Sequence, residues 1–297
     1  MNWLHAVLLG IVEGITEFLP VSSTGHLNIV EKLLGYKIDD AGMTAFTAVI
    51  QVGAILAAVV YFWSDIVRIV TAWLKGLANR GARGDPDYTL GWGIILGSIP
   101  VAVVGLALKD FIEVTARSLW IIAGALIIWS AVMWVADQRS DGPAGAAHAS
   151  AGRGMSEVGV KDALIIGAFQ ALSPILPGIS RSGATISAAL FLRFDRVTAT
   201  RLSFFMGIPA LIAAGLFEAV TAAGDISSPD IGWPATIIAT IVSGIVAYAT
   251  IAWLLKFVSS NKFTGFLLPR GPGSGHHRAR RHRRRHRLTF DVREDGD

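Results

Sequence analysis

Two acids, several hydroxyl groups and one imidazole are concentrated within fourteen residues near the N-terminus. Glu13 and Glu17 lie in an apolar stretch, residues 3–19, which leads through Pro20 into residues 21–26, VSSTGH. Because the two acids are four residues apart, they share one face of a helix. Hydroxyl and imidazole groups can act as nucleophiles or proton carriers, and carboxylates can accept protons or hold cations. This cluster is therefore predicted to be the working site.

The composition places the cluster inside a membrane protein. Of 297 residues, 53% are hydrophobic and only 16% are charged, which is too apolar for a soluble chain of this length. Windows of about 18 or more residues with almost no charge mark membrane-spanning helices. Five such windows are predicted as spans: 44–63, 90–108, 119–136, 202–223 and 235–258. We therefore expect an all-α, polytopic membrane helical bundle.

The N-terminal apolar stretch is not expected to be a cleavable signal peptide. It has no basic start and no small-residue cleavage site, and it carries two acids where a signal peptide would have none. The chain contains no cysteine, which excludes disulfides, thiolate chemistry and cysteine-based metal sites. We expect membrane lipids as partners and no nucleic acid.

Basic residues set the predicted orientation, because cytoplasmic loops are enriched in Lys and Arg. The loops 64–89 and 137–162 contain such residues, whereas the loop 224–234 contains none. The first two loops are predicted to be cytoplasmic and the third external. The short connection with Lys109 and Arg117 lies outside in this interpretation, where neighbouring acids balance its charge.

The chain also resembles itself. Residues 10–20, GIVEGITEFLP, align without gaps on residues 167–177, GAFQALSPILP, and Gly, Leu and Pro coincide. Each segment leads into a hydroxyl-rich turn, Ser22 to Gly25 in the first and Ser180 to Gly183 in the second. Self-similarity of this kind indicates a duplication.

Each aligned segment is too short to cross a bilayer and is followed by a second short apolar arm, residues 27–34 or 184–194. We interpret both pairs as re-entrant helical hairpins whose turns meet inside the bundle. The first would enter from outside and the second from the cytoplasm, which makes the halves inverted repeats. The predicted divisions are a first repeat 1–140, with hairpin 3–34 and three spans; a flexible cytoplasmic linker 141–159; a second repeat 160–268, with hairpin 160–194 and two spans; and a basic, disordered tail 269–297.

The tail breaks the symmetry, because the second repeat has no third span. Nine of the 26 basic residues lie in residues 270–297, and they account for the positive net charge of +4. Two explanations stay open. The tail is either a genuine polybasic segment that attracts anionic lipid, or the product of a frameshift that replaces a last helix.

The opposing turn contributes a cation. Arg181, flanked by Ser180 and Ser182, can clamp phosphate oxygens, and a guanidinium is costly to hold at membrane depth without a task. The serines and threonine at 22–24, followed by glycine, suit an anion at a helix N-terminus. A purely structural alternative, with Arg181 paired to Glu13 or Glu17 for stability alone, stays open at this point.

Two stretches resemble the signature motifs of a known family. Residues 13–26, EGITEFLPVSSTGH, and residues 177–185, PGISRSGAT, are similar to those of the undecaprenyl-diphosphate phosphatases, also called bacitracin-resistance proteins. The resemblance runs from about residue 3 to residue 268 and then stops, whereas the family ends in one more transmembrane helix. It implies removal of the terminal phosphate from undecaprenyl diphosphate. That reaction recycles the lipid carrier for cell-wall synthesis, confers bacitracin resistance and takes place on the extracytoplasmic side of the bacterial cytoplasmic membrane.

Carried over residue by residue, the family's active site falls on a small set of positions in this chain: Glu13, Glu17, Ser22, Ser23, Thr24, His26, Ser180 and Arg181. Our hypothesis is that Ser23 attacks the terminal phosphorus, that His26 or Glu17 handles its proton, and that Arg181 with the turn amides neutralises the phosphoryl oxygens. His26 as a phosphohistidine nucleophile is the close competitor. Ser22, Thr24 and Ser180 are expected to bind phosphate.

The acid pair also suggests a cation. Mg²⁺ or Ca²⁺ held between Glu13, Glu17 and the diphosphate would relieve the repulsion of the two carboxylates. The main alternative function is a lipid flippase or secondary transporter, since inverted repeats with paired hairpins are typical of transporters. A chain made inactive by loss of its last helix is a third reading, and a homodimer is left open as its assembly.

Overall fold

A computed structural model describes residues 1–38, 40–108, 119–140, 152–176, 178–221, 226 and 231–264. Within these ranges every secondary-structure element is an α-helix or a 3-10 helix, which confirms the all-α prediction. The α-helices are α1 Trp3–Thr16, α2 Ser23–Leu33, α3 Ala41–Tyr61, α4 Trp63–Ala78, α5 Pro86–Ala107, α6 Leu119–Ser140, α7 Val160–Gln170, α8 Leu172–Ile175, α9 Arg181–Phe191, α10 Arg196–Thr221 and α11 Trp233–Val258. Short 3-10 helices occupy Arg80–Gly84 and Met155–Glu157.

The five predicted spans are confirmed as helices. Within the described ranges, α3, α5, α6, α10 and α11 are long and apolar enough to cross a membrane. Large apolar side chains point outward from them, with Trp120 88% and Leu106 72% exposed, as expected for surfaces that face lipid. The chain is a multi-pass membrane protein.

The prediction of a loop over 64–89 was wrong in its secondary structure, because most of the segment is α4. A search for uncharged windows passes over α4, whose charged residues interrupt an amphipathic pattern. One face exposes apolar side chains at helical spacing: Trp63, Val67, Val70, Leu74 and Leu77. The opposite face packs on α5, where Gly76 lies against the ring of Tyr88.

Both predicted hairpins are present as pairs of short helices. In the first, α1 has 14 residues and α2 has 11, lengths of about 21 and 16 Å, which fall short of a bilayer core of about 30 Å. In the second, α7 and α9 have 11 residues each, with the four-residue α8 between them. Pro177, at the centre of the second turn, lies outside the described residues.

The two halves pack reciprocally. The first arm of the first hairpin, α1, packs on α11, and the first arm of the second hairpin, α7, packs on α5. Glycines allow these contacts: a Cβ added at Gly10 would lie 2.5 Å from the carbonyl oxygen of Ala239. Gly167, its aligned partner, faces the carbonyl of Gly97 even more closely. This arrangement is compatible with an inverted repeat, and the division of the chain into repeats stays a prediction.

The segment before the second hairpin is attached to it. Arg153 N donates to Arg193 O at 2.8 Å and Asp195 N donates to Arg153 O at 3.1 Å, so part of the predicted linker contacts the end of α9. Arg153 also pairs with Asp162 in the first turn of α7 at 2.6 Å. Residues 141–151, the connection with Lys109 and Arg117, and the predicted tail 269–297 lie outside the described residues, as does most of the loop 224–234.

Candidate active site

The turns of the two hairpins meet at one cavity of about 680 Å³. Ser182 Oγ, in the second turn, donates a hydrogen bond to Leu19 O in the first at 2.9 Å. Ser180 Oγ lies 3.0 Å from Ser182 Oγ and extends this link. The hairpins thus place side chains from residues more than 150 positions apart around a common space.

Glu17 connects the hydroxyl of the first turn with the guanidinium of the second. Ser23 Oγ donates to Glu17 Oε2 at 2.7 Å, and Arg181 Nη2 donates to Glu17 Oε1 at 3.3 Å. The side chains of Glu17 and Arg181 are 4% and 11% exposed, so the ion pair lies in a nearly dry environment. A carboxylate bonded to a serine hydroxyl in this way can take its proton.

Helix α10 holds Arg181 in place. Arg181 Nη1 donates to Ser203 O at 3.2 Å, and the guanidinium lies against Gly207, where a side chain would clash. Thr185 Oγ1, one turn along α9, donates to Ser203 Oγ at 2.7 Å. Arg181 Nε is buried with no hydrogen-bond partner among the described residues. The guanidinium is therefore oriented by backbone and packing as well as by Glu17.

Both turns aim a helix N-terminus at the cavity. Ser22 caps α2 by accepting from Gly25 N at 3.3 Å, and Ser180 caps α9 by accepting from Gly183 N at 3.1 Å. Ser22 adopts φ 66° and ψ 100°, in the left-handed region that costs a non-glycine residue about 1–3 kcal/mol. The N-termini of two helices and one guanidinium converging on one space suit a multiply charged anion such as a phosphate.

Glu13 lies one helical turn before Glu17 and also lines the cavity. It is 1% exposed, and its Oε1 has no hydrogen-bond partner within the described ranges. In that part of the chain, no three His, Asp or Glu side chains converge to hold a metal. A cation between Glu13 and Glu17 would therefore need further ligands from hydroxyls, water or substrate oxygens.

Sequence reasoning missed a third buried acid. Glu31 on α2 lines the same cavity, is 1% exposed and accepts a hydrogen bond from Thr47 Oγ1 at 3.1 Å. Asn28 and Gln51 extend this polar wall. The only signal in the sequence was a single acid in the short apolar arm after the first turn.

His26 is not brought to the cavity with the other predicted residues. Helix α2 begins at Ser23, so the cavity-facing positions Thr24, Leu27 and Glu31 share one face and His26 falls on another. The imidazole is exposed, and its Nδ1 lies 2.8 Å from Ser22 O. The other predicted site residues all line the cavity: Glu13, Glu17, Ser22, Ser23, Thr24, Ser180 and Arg181.

Comparison with known proteins identifies relatives across nearly the whole chain. A family model described as bacitracin resistance protein BacA matches residues 6–270. The chain is 70% identical over 272 residues to an undecaprenyl-diphosphatase of Cutibacterium acnes, covering 90% of this chain and 93% of the relative. It is 54% identical to undecaprenyl-diphosphatase 3 of Frankia casuarinae, with 90% and 92% covered. It is 52% identical to undecaprenyl-diphosphatase 1 of Streptomyces avermitilis, with 91% and 93% covered.

Proposed function

The chain belongs to the bacitracin resistance protein BacA family, and from that premise we propose that it is an integral membrane phosphatase. Its substrate is undecaprenyl diphosphate, and its products are undecaprenyl phosphate and inorganic phosphate. The names of the relatives favour this reaction over the flippase or transporter alternative. The observation that carries the proposal is the Ser23–Glu17–Arg181 arrangement between two helix N-termini.

The first step is attack of Ser23 Oγ on the terminal phosphorus. Glu17 accepts the serine proton as the Oγ–P bond forms and the bridging P–O bond breaks, and it passes that proton to the departing undecaprenyl phosphate. Arg181 and the amides at the start of α2 and α9 stabilise the charge on the phosphoryl oxygens. A water molecule then attacks the phosphoserine, Glu17 takes the water's proton, and Ser23 recovers it as phosphate leaves.

Glu17 is preferred to His26 as the base because of position. The Glu17 carboxylate is hydrogen-bonded to the nucleophile, whereas the His26 imidazole is exposed and bonded to the backbone of Ser22. Ser22, Thr24 and Ser180 line the space where the phosphate would bind. A divalent cation, Mg²⁺ or Ca²⁺, would bind between Glu13, Glu17 and the diphosphate and offset the repulsion between the acids.

The proposal extends to location and assembly. The site faces the extracytoplasmic side of the bacterial cytoplasmic membrane, since the basic residues of α4 and the following 3-10 helix favour a cytoplasmic position for that end of the bundle. A homodimer is the proposed assembly, and chemical crosslinking in native membranes tests it.

The decisive experiment is phosphate release by the purified chain in detergent. Transport requires a sealed membrane and hydrolysis does not, so release of inorganic phosphate from undecaprenyl diphosphate identifies an enzyme. The same assay with a chelator, followed by return of Mg²⁺ or Ca²⁺, tests the cation. Absence of phosphate release from a well-folded sample under all of these conditions would refute the assigned reaction.

A further inference from the structure

The cavity has two unlike walls. The hairpin turns, α2 and α3 supply its polar groups, whereas α5 and α10 supply an apolar wall on the remaining side. We call the space between α5 and α10 at this wall the side opening. It is lined by Ala102, Gly105 and Leu106 on α5 and by Ala213, Ala214 and Phe217 on α10. The chemistry at Ser23 and Arg181 uses none of these residues.

The two helices contact each other on the N-terminal side of the side opening. Ser98 Oγ on α5 donates to Met206 O on α10 at 3.4 Å, and Gly97 lies against the Met206 side chain. A proline follows each contact, Pro100 in α5 and Pro209 in α10. Proline removes a helical hydrogen bond and permits a bend. Beyond the prolines, both helices line the cavity.

The side opening reaches the outer surface of the bundle. Among the described residues, no heavy atom outside its own helix lies within 4 Å of a Cβ added at Gly105, so open space faces this residue in that part of the chain. Leu106 is 72% exposed and Phe217 is 44% exposed, although both also line the cavity. An exposed apolar surface on a membrane bundle faces lipid, so the cavity communicates sideways with the bilayer.

The position of the side opening relative to the bilayer follows from helix direction. Helix α5 starts after the basic 3-10 helix Arg80–Gly84, and ion pairs through α4 connect its first turn with the start of α10. Arg68 on α4 pairs with Asp87 in the first turn of α5 and with Asp65, and Asp65 pairs with Arg201 near the start of α10 at 2.6 Å. Both helices therefore run from the same end of the bundle. The prolines come midway, and the side opening occupies the half toward the opposite end, which is the outer leaflet in the proposed orientation.

We propose that the side opening binds the polyprenyl chain of the substrate where it leaves the diphosphate. This inference rests on the proposed function. If the cavity were closed toward the bilayer, the entire hydrocarbon chain of the substrate would have to leave the lipid before the diphosphate could bind. An opening between α5 and α10 lets the diphosphate reach Arg181 and Ser23 while the rest of the chain stays in lipid. The small residues Ala102, Gly105, Ala213 and Ala214 leave room for the branched isoprene units.

Gly105→Leu tests the inference, because among the described residues no neighbour outside its own helix lies within 4 Å of the added Cβ, so the side chain can extend into open space. We expect the KM for undecaprenyl diphosphate to rise by about tenfold or more, as when a pocket loses room for a hydrocarbon group. The inhibition constant of inorganic diphosphate, which occupies only the polar part of the cavity, should stay unchanged. The matched control is Val103→Leu, on the same helix and 58% exposed but away from the cavity.

Equal KM values for wild type and Gly105→Leu would overturn the inference, and so would a parallel loss of diphosphate inhibition. A wild-type chain that releases no phosphate refutes the proposed function instead, and the side opening with it. If both the KM change and the intact inhibition are found while Val103→Leu behaves as wild type, the side opening is supported.

A labelling experiment decides the matter independently of the Leu variant. Because the chain contains no cysteine, an Ala214→Cys variant carries a single reactive thiol. Undecaprenyl phosphate should slow its reaction with a maleimide severalfold, whereas inorganic phosphate should not. An Ile212→Cys variant, exposed on α10 but outside the cavity lining, should react at one rate throughout. Protection at both positions or at neither would overturn the inference.

Discussion

The two hairpin turns share a scaffold and differ in charge. Ser22 and Ser180 each cap a helix by accepting from the amide three residues on, Gly25 N and Gly183 N. The next position carries Ser23 in the first turn and Arg181 in the second, each the first residue of its helix. The arm before the first turn carries two acids, Glu13 and Glu17. At the aligned positions, the arm before the second turn carries Gln170 and Pro174.

This difference shows how two similar turns can form one site. Two acidic turns would repel each other, and two cationic turns would have no nucleophile. One turn of each kind gives the Glu17–Arg181 ion pair across the junction, with Ser23 attached to the same carboxylate. The shared caps supply backbone amides from both sides, and in the proposed mechanism the divergent residues supply the chemistry.

The largest effect is expected from replacing the guanidinium group of the second turn. Arg181→Lys keeps the charge but loses the planar group that contacts both Glu17 and Ser203, so we expect kcat to fall by about 10²-fold or more. Phosphate release by the purified variant measures this. Arg193→Lys at the far end of α9 is the control. A kcat within threefold of wild type for Arg181→Lys would contradict the proposed role of the guanidinium in stabilising the phosphoryl oxygens.

The first hairpin contains two candidate proton carriers, Glu17 and His26, and two substitutions distinguish them. Glu17→Gln removes the acceptor bonded to Ser23, and kcat should fall by about 10²-fold. His26→Gln, on the exposed side of α2, should change kcat by less than about tenfold. The pair is measured side by side in one phosphate-release assay. The reverse order of effects would transfer the role of base to His26.

Much of this arrangement could be predicted from the sequence. Uncharged windows located the five spans, and the alignment of residues 10–20 with 167–177 located both turns and their serine caps. The same alignment pairs Gly10 with Gly167, and both lie at close helix contacts, against Ala239 and Gly97. These features depend on local composition and spacing, which a single sequence records directly.

The parts that were missed depend on helix phase and long-range contact. The position of His26 follows from the start of α2 at Ser23, and a shift of one or two residues changes which side chains face the cavity. Glu31 joins the site through Thr47 on another helix, which no local pattern indicates. Helix α4 was passed over because its charged residues interrupt the apolar run.

A smaller effect, on stability, is expected from making the two arms alike. Gln170 is fully buried and its Nε2 donates to Met206 O at 3.5 Å. Gln170→Glu places an acid in this buried position and replaces the amide that donates to the carbonyl oxygen, and should lower the free energy of unfolding by about 2–3 kcal/mol. Thermal unfolding in detergent measures it. Glu13→Gln is the matched reverse exchange and should be as stable as wild type or more so, while losing activity. Equal destabilisation by both exchanges would contradict the comparison.

The smallest effect concerns the entry to the second hairpin. The Arg153 guanidinium hydrogen-bonded to Asp162 lowers the pKa of that carboxyl, whereas the first hairpin begins with the neutral cap Asn2. A lowered pKa contributes stability above the unfolded value and loses it as pH falls through the folded value. Asp162→Asn should therefore destabilise by about 0.5–1 kcal/mol at pH 7, since the pair is partly exposed.

The pH dependence provides the check on this pair. The difference in unfolding temperature between wild type and Asp162→Asn should begin to shrink as the pH falls below about 4, and it should disappear only below the lowered folded pKa, where the carboxyl is protonated in both states. Asn2→Asp is the matched change in the first hairpin. Its effect on the unfolding temperature should not depend on Arg153. A difference that persists unchanged at low pH would exclude the ion pair as its source.

In the proposed mechanism Ser23 is activated by Glu17, carries the phosphoryl group between substrate and water, and lies opposite Arg181, which stabilises the charge on the phosphoryl oxygens. The most direct test is acid quench of a single turnover with undecaprenyl diphosphate labelled in its terminal phosphate, followed by peptide mapping. We expect an acid-stable phosphoserine at Ser23, and we expect both this product and turnover to be absent in Ser23→Ala. Label found instead as acid-labile phosphohistidine at His26, or undiminished turnover by Ser23→Ala, would contradict it.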